Sequence, residues 1–144
     1  MINYILKGDI HMVGKRIVPY EVIGEKALHN LVDAFYSKVA KHPDLIPIFP
    51  DDLSEVAQKQ KMFLTEYLGG PKLYTEVHGH PMMRARHLPH EITPTRARAW
   101  LSCMSEAMDE IKLDGTIRDE FFSRLVLTAR HMVNTPDTVI GEEN

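Results

Sequence analysis

The chain has a single cysteine, Cys103, so no intramolecular disulfide can staple it, and a lone thiol fits a reducing compartment. No apolar run approaches the ~20 residues of a membrane-spanning helix, and Met1 to Gly14 lacks a basic start followed by an unbroken apolar stretch. Excess positive charge is missing too: the formal net charge is -3 and no stretch concentrates Lys and Arg, which argues against a nucleic-acid partner. Glycine does not form a phosphate-cradling loop, because Gly69-Gly70 closes a helical pattern instead of opening one. Carboxylates paired as in a hydrolase are absent, since the acidic residues read as helix caps and solvated faces. Together these point to a cytoplasmic protein with neither a membrane nor a nucleic-acid partner. At 144 residues it is one domain, long enough to bury a core.

What the chain does have is helical periodicity. Leu28, Leu31, Val32, Phe35, Tyr36 and Val39 recur at three- and four-residue steps and predict a helix from Glu25 that ends before Pro43. Asp44 to Pro50 is a tight corner carrying Ile46, Ile48 and Phe49. Asp52, with Glu55 three residues on, resembles a capping box and opens a second helix with Val56, Gln60, Phe63, Leu64 and Tyr67 inward. Gly69-Gly70-Pro71 ends it. Lys72 to Pro81 reads as an irregular polar connection and Pro81 to His87 as a short helix. Thr93-Pro94 signals a helix start, Thr as N-cap and Pro at the first position, with Trp100, Cys103, Met104, Ala107, Met108 and Ile111 inward. After Asp114-Gly115 a last helix runs to about Val133 with Phe121, Phe122, Leu125, Thr128 and Met132 inward. Met1 to Gly24 shows no clear period, and Tyr4 to Leu6 reads as a short strand or an ordered tail. The expectation is an all-α domain whose pairs 25–41 with 52–68 and 94–111 with 116–133 form two crossed antiparallel layers.

Four inward polar or amphipathic residues need an account: Tyr36, Gln60, His87 and Trp100. A buried polar group without a partner costs roughly 1–3 kcal/mol, so the four together imply either local satisfaction by backbone and water or a polar ligand. A zinc site from His78, His80, His87 and His90 matches no ligand spacing of that metal. Cys103 falls on the apolar face and reads as a small core hydrophobe. A flat organic cofactor held by one axial histidine remains, and haem needs such an apolar slot with hydrogen-bond donors on its ligand side.

The segments Phe35-Tyr36, Pro47-Ile48-Phe49-Pro50, Lys59-Gln60-Lys61-Met62-Phe63-Leu64, Tyr67-Leu68-Gly69-Gly70-Pro71, Gly79-His80-Pro81, Arg84-Ala85-Arg86-His87-Leu88-Pro89 and Ala99-Trp100 occur in this order. In them the chain resembles the truncated haemoglobins, more narrowly their second group in bacilli and related bacteria. The resemblance runs from about Pro19 to Asn134. It divides the chain into an N-terminal extension (1–18), a truncated globin domain (19–134) and a polar C-terminal tail (135–144) expected to fray. It implies a two-over-two antiparallel helical sandwich around haem b. His87 would be the proximal iron ligand, Phe49 the corner aromatic on the haem face and Phe63 a further haem contact. Lys59 and Arg86 would pair with the haem propionates, and Tyr36, Gln60 and Trp100 would be the distal donors beside Val56. Two positions depart from the family pattern. Val56 stands where relatives often have Thr or Ala on the ligand's access path, and His90 where Phe is usual. His90 follows His87 by one helical step but lies beyond Pro89, which breaks that face, so His87 is preferred.

The resemblance implies a protein that binds oxygen, carbon monoxide or nitric oxide reversibly, with slow oxygen release, for transport, storage or sensing. The alternative is a redox enzyme on the same cofactor, a nitric oxide dioxygenase or a peroxidase-like activity, served by an external reductase. The chain carries no flavin- or nicotinamide-binding segment of its own.

Overall fold

The computed structural model describes residues 10–12, 15–80, 82 and 90–137. It is all-α apart from one short antiparallel ribbon. Strands β1 (Ile10–Met12) and β2 (Lys15–Ile17) pair in that ribbon, Ile10 opposite Ile17. The helices follow as α1 (Pro19–Ile23), α2 (Glu25–Val39), a 3-10 turn (Ile46–Ile48), α3 (Ser54–Tyr67), α4 (Leu73–His78), α5 (Pro94–Glu110) and α6 (Gly115–Met132). Helix α2 packs against both α3 and α5, and α5 pairs with α6. This gives the two-over-two sandwich expected from the apolar stripes. No helix among the described residues is long and apolar enough to cross a membrane.

The periodic residues form the core. Leu28, Leu31, Val32 and Phe35 of α2, Leu64 of α3, Met104, Ala107 and Met108 of α5 and Phe121 of α6 are wholly buried. Cys103 is buried among them, and burial, reinforced by Glu106, pushes its thiol above the ordinary value, as befits a packing residue.

Corners were read less well. Helix α3 starts at Ser54, not Asp52. The Asp52 carboxylate accepts from the Ser54 N–H at 2.9 Å, a side-chain turn just ahead of the helix, while Glu55 turns outward to Lys59 at 3.2 Å. The end of α3 follows its sequence signal. Gly69 takes φ +92°, its N–H donates to the Glu66 carbonyl, and the Gly70 N–H donates to the Thr65 carbonyl at 2.8 Å, the Schellman pattern. A Cβ on Gly70 would lie 2.8 Å from the Tyr20 ring. Close approach of α1 therefore requires glycine there, and the Tyr20 N–H fixes it with a bond to the Leu68 carbonyl at 2.9 Å.

Three expectations change. Residues 72–81 are not wholly irregular, because Leu73–His78 is helical and held by Glu66, whose carboxylate accepts from the Thr75 N–H at 2.9 Å and hydroxyl at 2.5 Å. The region before Gly24 holds the ribbon and α1, while the strand read at Tyr4 to Leu6 lies outside the described residues, as does most of the short helix read at 81–87. The segment after α6 does not fray at its start. Asn134 accepts from the Ile92 N–H at 2.9 Å and donates to the His90 carbonyl at 3.0 Å, and Asp137 accepts from the Thr95 N–H at 3.1 Å and lies 3.7 Å from Arg98. This clasp ties the C-terminal segment to the start of α5, whose N-cap is Thr93 as expected, its hydroxyl accepting from the Arg96 N–H at 3.1 Å.

The Thr95 N–H, with smaller help from the Thr95 and Thr93 hydroxyls and Arg98, holds the Asp137 carboxyl below its ordinary value. Such a group stabilises the fold above the ordinary carboxylate range, and that contribution is lost as pH falls through its folded value. Urea unfolding is expected to find Asp137→Asn less stable than wild type at about pH 6, with the gap closing below about pH 4. A gap independent of pH would mean that the carboxylate charge does not hold the clasp.

Candidate functional site

Between α2, α3, the 3-10 corner and α5 lies a cavity of about 420 Å³, within the ~300–1,000 Å³ typical of small-molecule sites. Most of its described wall is apolar, supplied by Leu45, Ile48, Phe49, Phe63, Leu64, Ile92, Leu125 and Met132. Of the residues singled out from the sequence, Tyr36, Phe49, Val56, Lys59, Gln60, Phe63 and Trp100 all line it. His87 and Arg86 lie outside the described residues.

Packing positions these side chains. Tyr36 is buried at the inner end of α2's apolar stripe. Its ring meets the edge of Phe35 at 4.8 Å and that of Phe49 at 6.0 Å. Phe35 also braces Trp100 at 5.0 Å. One fully buried phenylalanine, itself off the cavity wall, thus sets the angle of a phenol from α2 and an indole from α5. The hydroxyl of Tyr36 forms no hydrogen bond among the described residues, and burial pushes its proton affinity far above the ordinary phenol value, so it remains a neutral donor. Gln60, on the adjacent face of α3, is half-buried.

A second aromatic group closes the other end. The Phe63 ring lies 5.6 Å from Tyr67 and 5.8 Å from Tyr74. The Thr128 hydroxyl donates to the Arg124 carbonyl at 3.1 Å, which leaves its oxygen to accept from Tyr67 at 3.2 Å. Tyr67, Tyr74, Thr128 and Arg96 line the cavity without having been singled out for it. Tyr67 and Thr128 carried a signal, as polar residues within apolar stripes, but their bond joins positions far apart in sequence. His78 packs against the Tyr74 ring at 4.9 Å. His90 is exposed and also reaches the cavity wall.

Apolar walls, clustered neutral donors and cations from Lys59 and Arg96 make a donor set that fits a flat, largely apolar group bearing carboxylates, as haem does. The pattern of bacterial-like globins matches residues 19–134. The chain belongs to the bacterial-like globin family. It is 68% identical over 116 residues to the group 2 truncated haemoglobin YjbI of Bacillus subtilis, covering 81% of this chain and 88% of that protein. Its fold superposes on the group II truncated haemoglobin of Bacillus anthracis with a TM-score of 0.82 at 68% identity, spanning 83% of this chain and 98% of that one. For the truncated oxygen-avid haemoglobin of Bacillus subtilis the TM-score is 0.81 at 67% identity, over 82% and 100% of the two chains. The protein is thus a group II truncated haemoglobin, and haem binding is what membership of this family implies. In this globin the cavity occupies the space between the two helical layers.

Because burial keeps Tyr36 neutral, Tyr36→Phe is expected to leave the phenolate absorbance that grows in around pH ~10–11 unchanged in the native protein, and to lower it only after unfolding in urea. A smaller native signal in the variant would place this phenol in contact with solvent.

Proposed function

We propose that this globin binds haem b in the cavity, that His87 would hold its iron, and that the protein retains oxygen and similar diatomic molecules such as carbon monoxide and nitric oxide rather than delivering oxygen quickly. One observation carries the reading. Tyr36, Gln60 and Trp100, which carry a phenol, an amide and an indole N–H, line one cavity whose other walls are mostly apolar, in a chain of a haem-binding family. When bound, haem supplies an iron with a coordination position for a small gas molecule.

The chain's own residues set how long that molecule stays. Phe49 and Phe63 give apolar surface that excludes water, and a dry environment strengthens each hydrogen bond inside it. Val56 narrows the same wall without adding a donor. Arg86 and Lys59 are the cations assigned to the cofactor's carboxylates, although the Lys59 ammonium is already 3.2 Å from Glu55. A diatomic ligand that acquires partial negative charge is stabilised by donors already fixed by packing. Each charge-assisted hydrogen bond contributes roughly 1.5–3 kcal/mol, which corresponds to about one to two decades in release rate. The oxygen-avid character of the Bacillus subtilis relative supports the same reading here.

Stopped-flow measurement of oxygen release from the ferrous holoprotein tests it. Tyr36→Phe and Trp100→Phe are each expected to release oxygen about ten- to a hundredfold faster than wild type. Wild type releasing as fast as both variants would overturn the retention reading. For the axial ligand, His87→Gly is expected to lose the five-coordinate, histidine-ligated ferrous spectrum while His90→Ala keeps it. The opposite pair of results would transfer that role to His90.

A further inference from the structure

We infer that Arg96 is a carboxylate anchor at the rim of the cavity, pairing its guanidinium with a carboxylate of the bound cofactor. This rests on the haem reading above. Arg96 is half-buried and lines the cavity from the first turn of α5. Among the described cavity-lining residues the side chains with a permanent positive charge are Lys59 and Arg96. They differ in what already holds them. Lys59 lies 3.2 Å from the Glu55 carboxylate, whereas Arg96 has no carboxylate partner among the described residues. The Arg96 Nη1 donates to the Glu91 backbone carbonyl at 2.6 Å. A guanidinium has more donors than that one bond uses, and the bond fixes the group without neutralising it. Arg98, two places on, has its charge answered by Asp137 at 3.7 Å.

The backbone beneath Arg96 is held from both sides. Its own N–H donates to the Thr93 hydroxyl at 3.1 Å, and the preceding Thr95 N–H donates to Asp137 at 3.1 Å. Loss of side-chain freedom on binding an anion is correspondingly small, since the fork is already oriented. A fixed guanidinium that has no carboxylate partner among the described residues and borders an apolar slot suits a planar carboxylate, for which two parallel N–H···O bonds are available.

The test uses the holoprotein loaded with haemin or with haemin dimethyl ester, whose carboxylates are esterified, and follows transfer of the cofactor to excess apomyoglobin. Arg96→Gln is expected to lose haemin about tenfold faster than wild type, one charge-assisted contact being of that order, and Arg96→Lys less than that. With the dimethyl ester, wild type and Arg96→Gln are expected to lose the cofactor equally fast. If Arg96→Gln speeds loss of haemin and ester alike, the residue acts through packing and the assignment is overturned. Equal haemin loss from wild type and Arg96→Gln overturns it as well and leaves the haem reading standing. A wild-type chain that takes up neither compound overturns the haem reading and this inference with it.

Discussion

The structure depends on the space its two helical layers leave between them. Protein interiors are close-packed, and cavities cost about 24 cal/mol per Å³. A mostly apolar pocket of about 420 Å³ forfeits the side-chain contacts that would otherwise fill it. Walls that cannot rest on one another across such a space must be fixed from behind. Much of the remaining architecture does this. Phe35 backs Tyr36 and Trp100, the Tyr67–Thr128 bond ties α3 to α6, and the Gly69-Gly70 corner with Tyr20 holds the end of α3. Asn134 and Asp137 clasp the start of α5.

The same constraint explains why the polar groups matter. A neutral phenol that makes no hydrogen bond within the described fold, together with an amide and an indole on the same cavity wall, is costly in a purely structural core. It is favourable where a ligand accepts from those donors. The fold thus places three neutral hydrogen-bonding side chains, Tyr36, Gln60 and Trp100, on a cavity whose apolar walls strengthen their bonds to a ligand. Charge is distributed differently, since the cations Lys59 and Arg96 stay at the rim, where a buried guanidinium's desolvation is avoided.

Local signals made much of this legible in the sequence. The stripe from Leu28 to Val39, the Gly69-Gly70-Pro71 stop and the Thr93-Pro94 start each act within one or two turns, and their helices follow them. Of the seven site residues within the described structure, Tyr36, Val56, Gln60, Phe63 and Trp100 line one cavity because they lie on the inward faces that periodicity exposes, whereas Phe49 in the corner and Lys59 on the exposed side of its helix were named through the family resemblance. What was missed depends on distant partners. Helix α4 is only 6 residues long, too short for a helical period to stand out, and a carboxylate from α3 holds its first turn. The clasp joins residues 42 apart in sequence, so Asn134 and Asp137 look like any polar tail. Attention to Arg84 and Arg86 passed over Arg96, whose place on the cavity wall follows from how α5 docks. Asp52 was misread by two residues because an aspartate before a helix serves either as its cap or as the turn ahead of it.

Titration of the purified haem-free chain with haemin tests the central claim most directly, that this cavity is a haem site with donors on its ligand side. The account predicts saturation near one equivalent with a sharp Soret band, and after reduction a shift of that band with oxygen and a different one with carbon monoxide. A chain that takes up no haemin, or whose reduced spectrum ignores both gases, would contradict it.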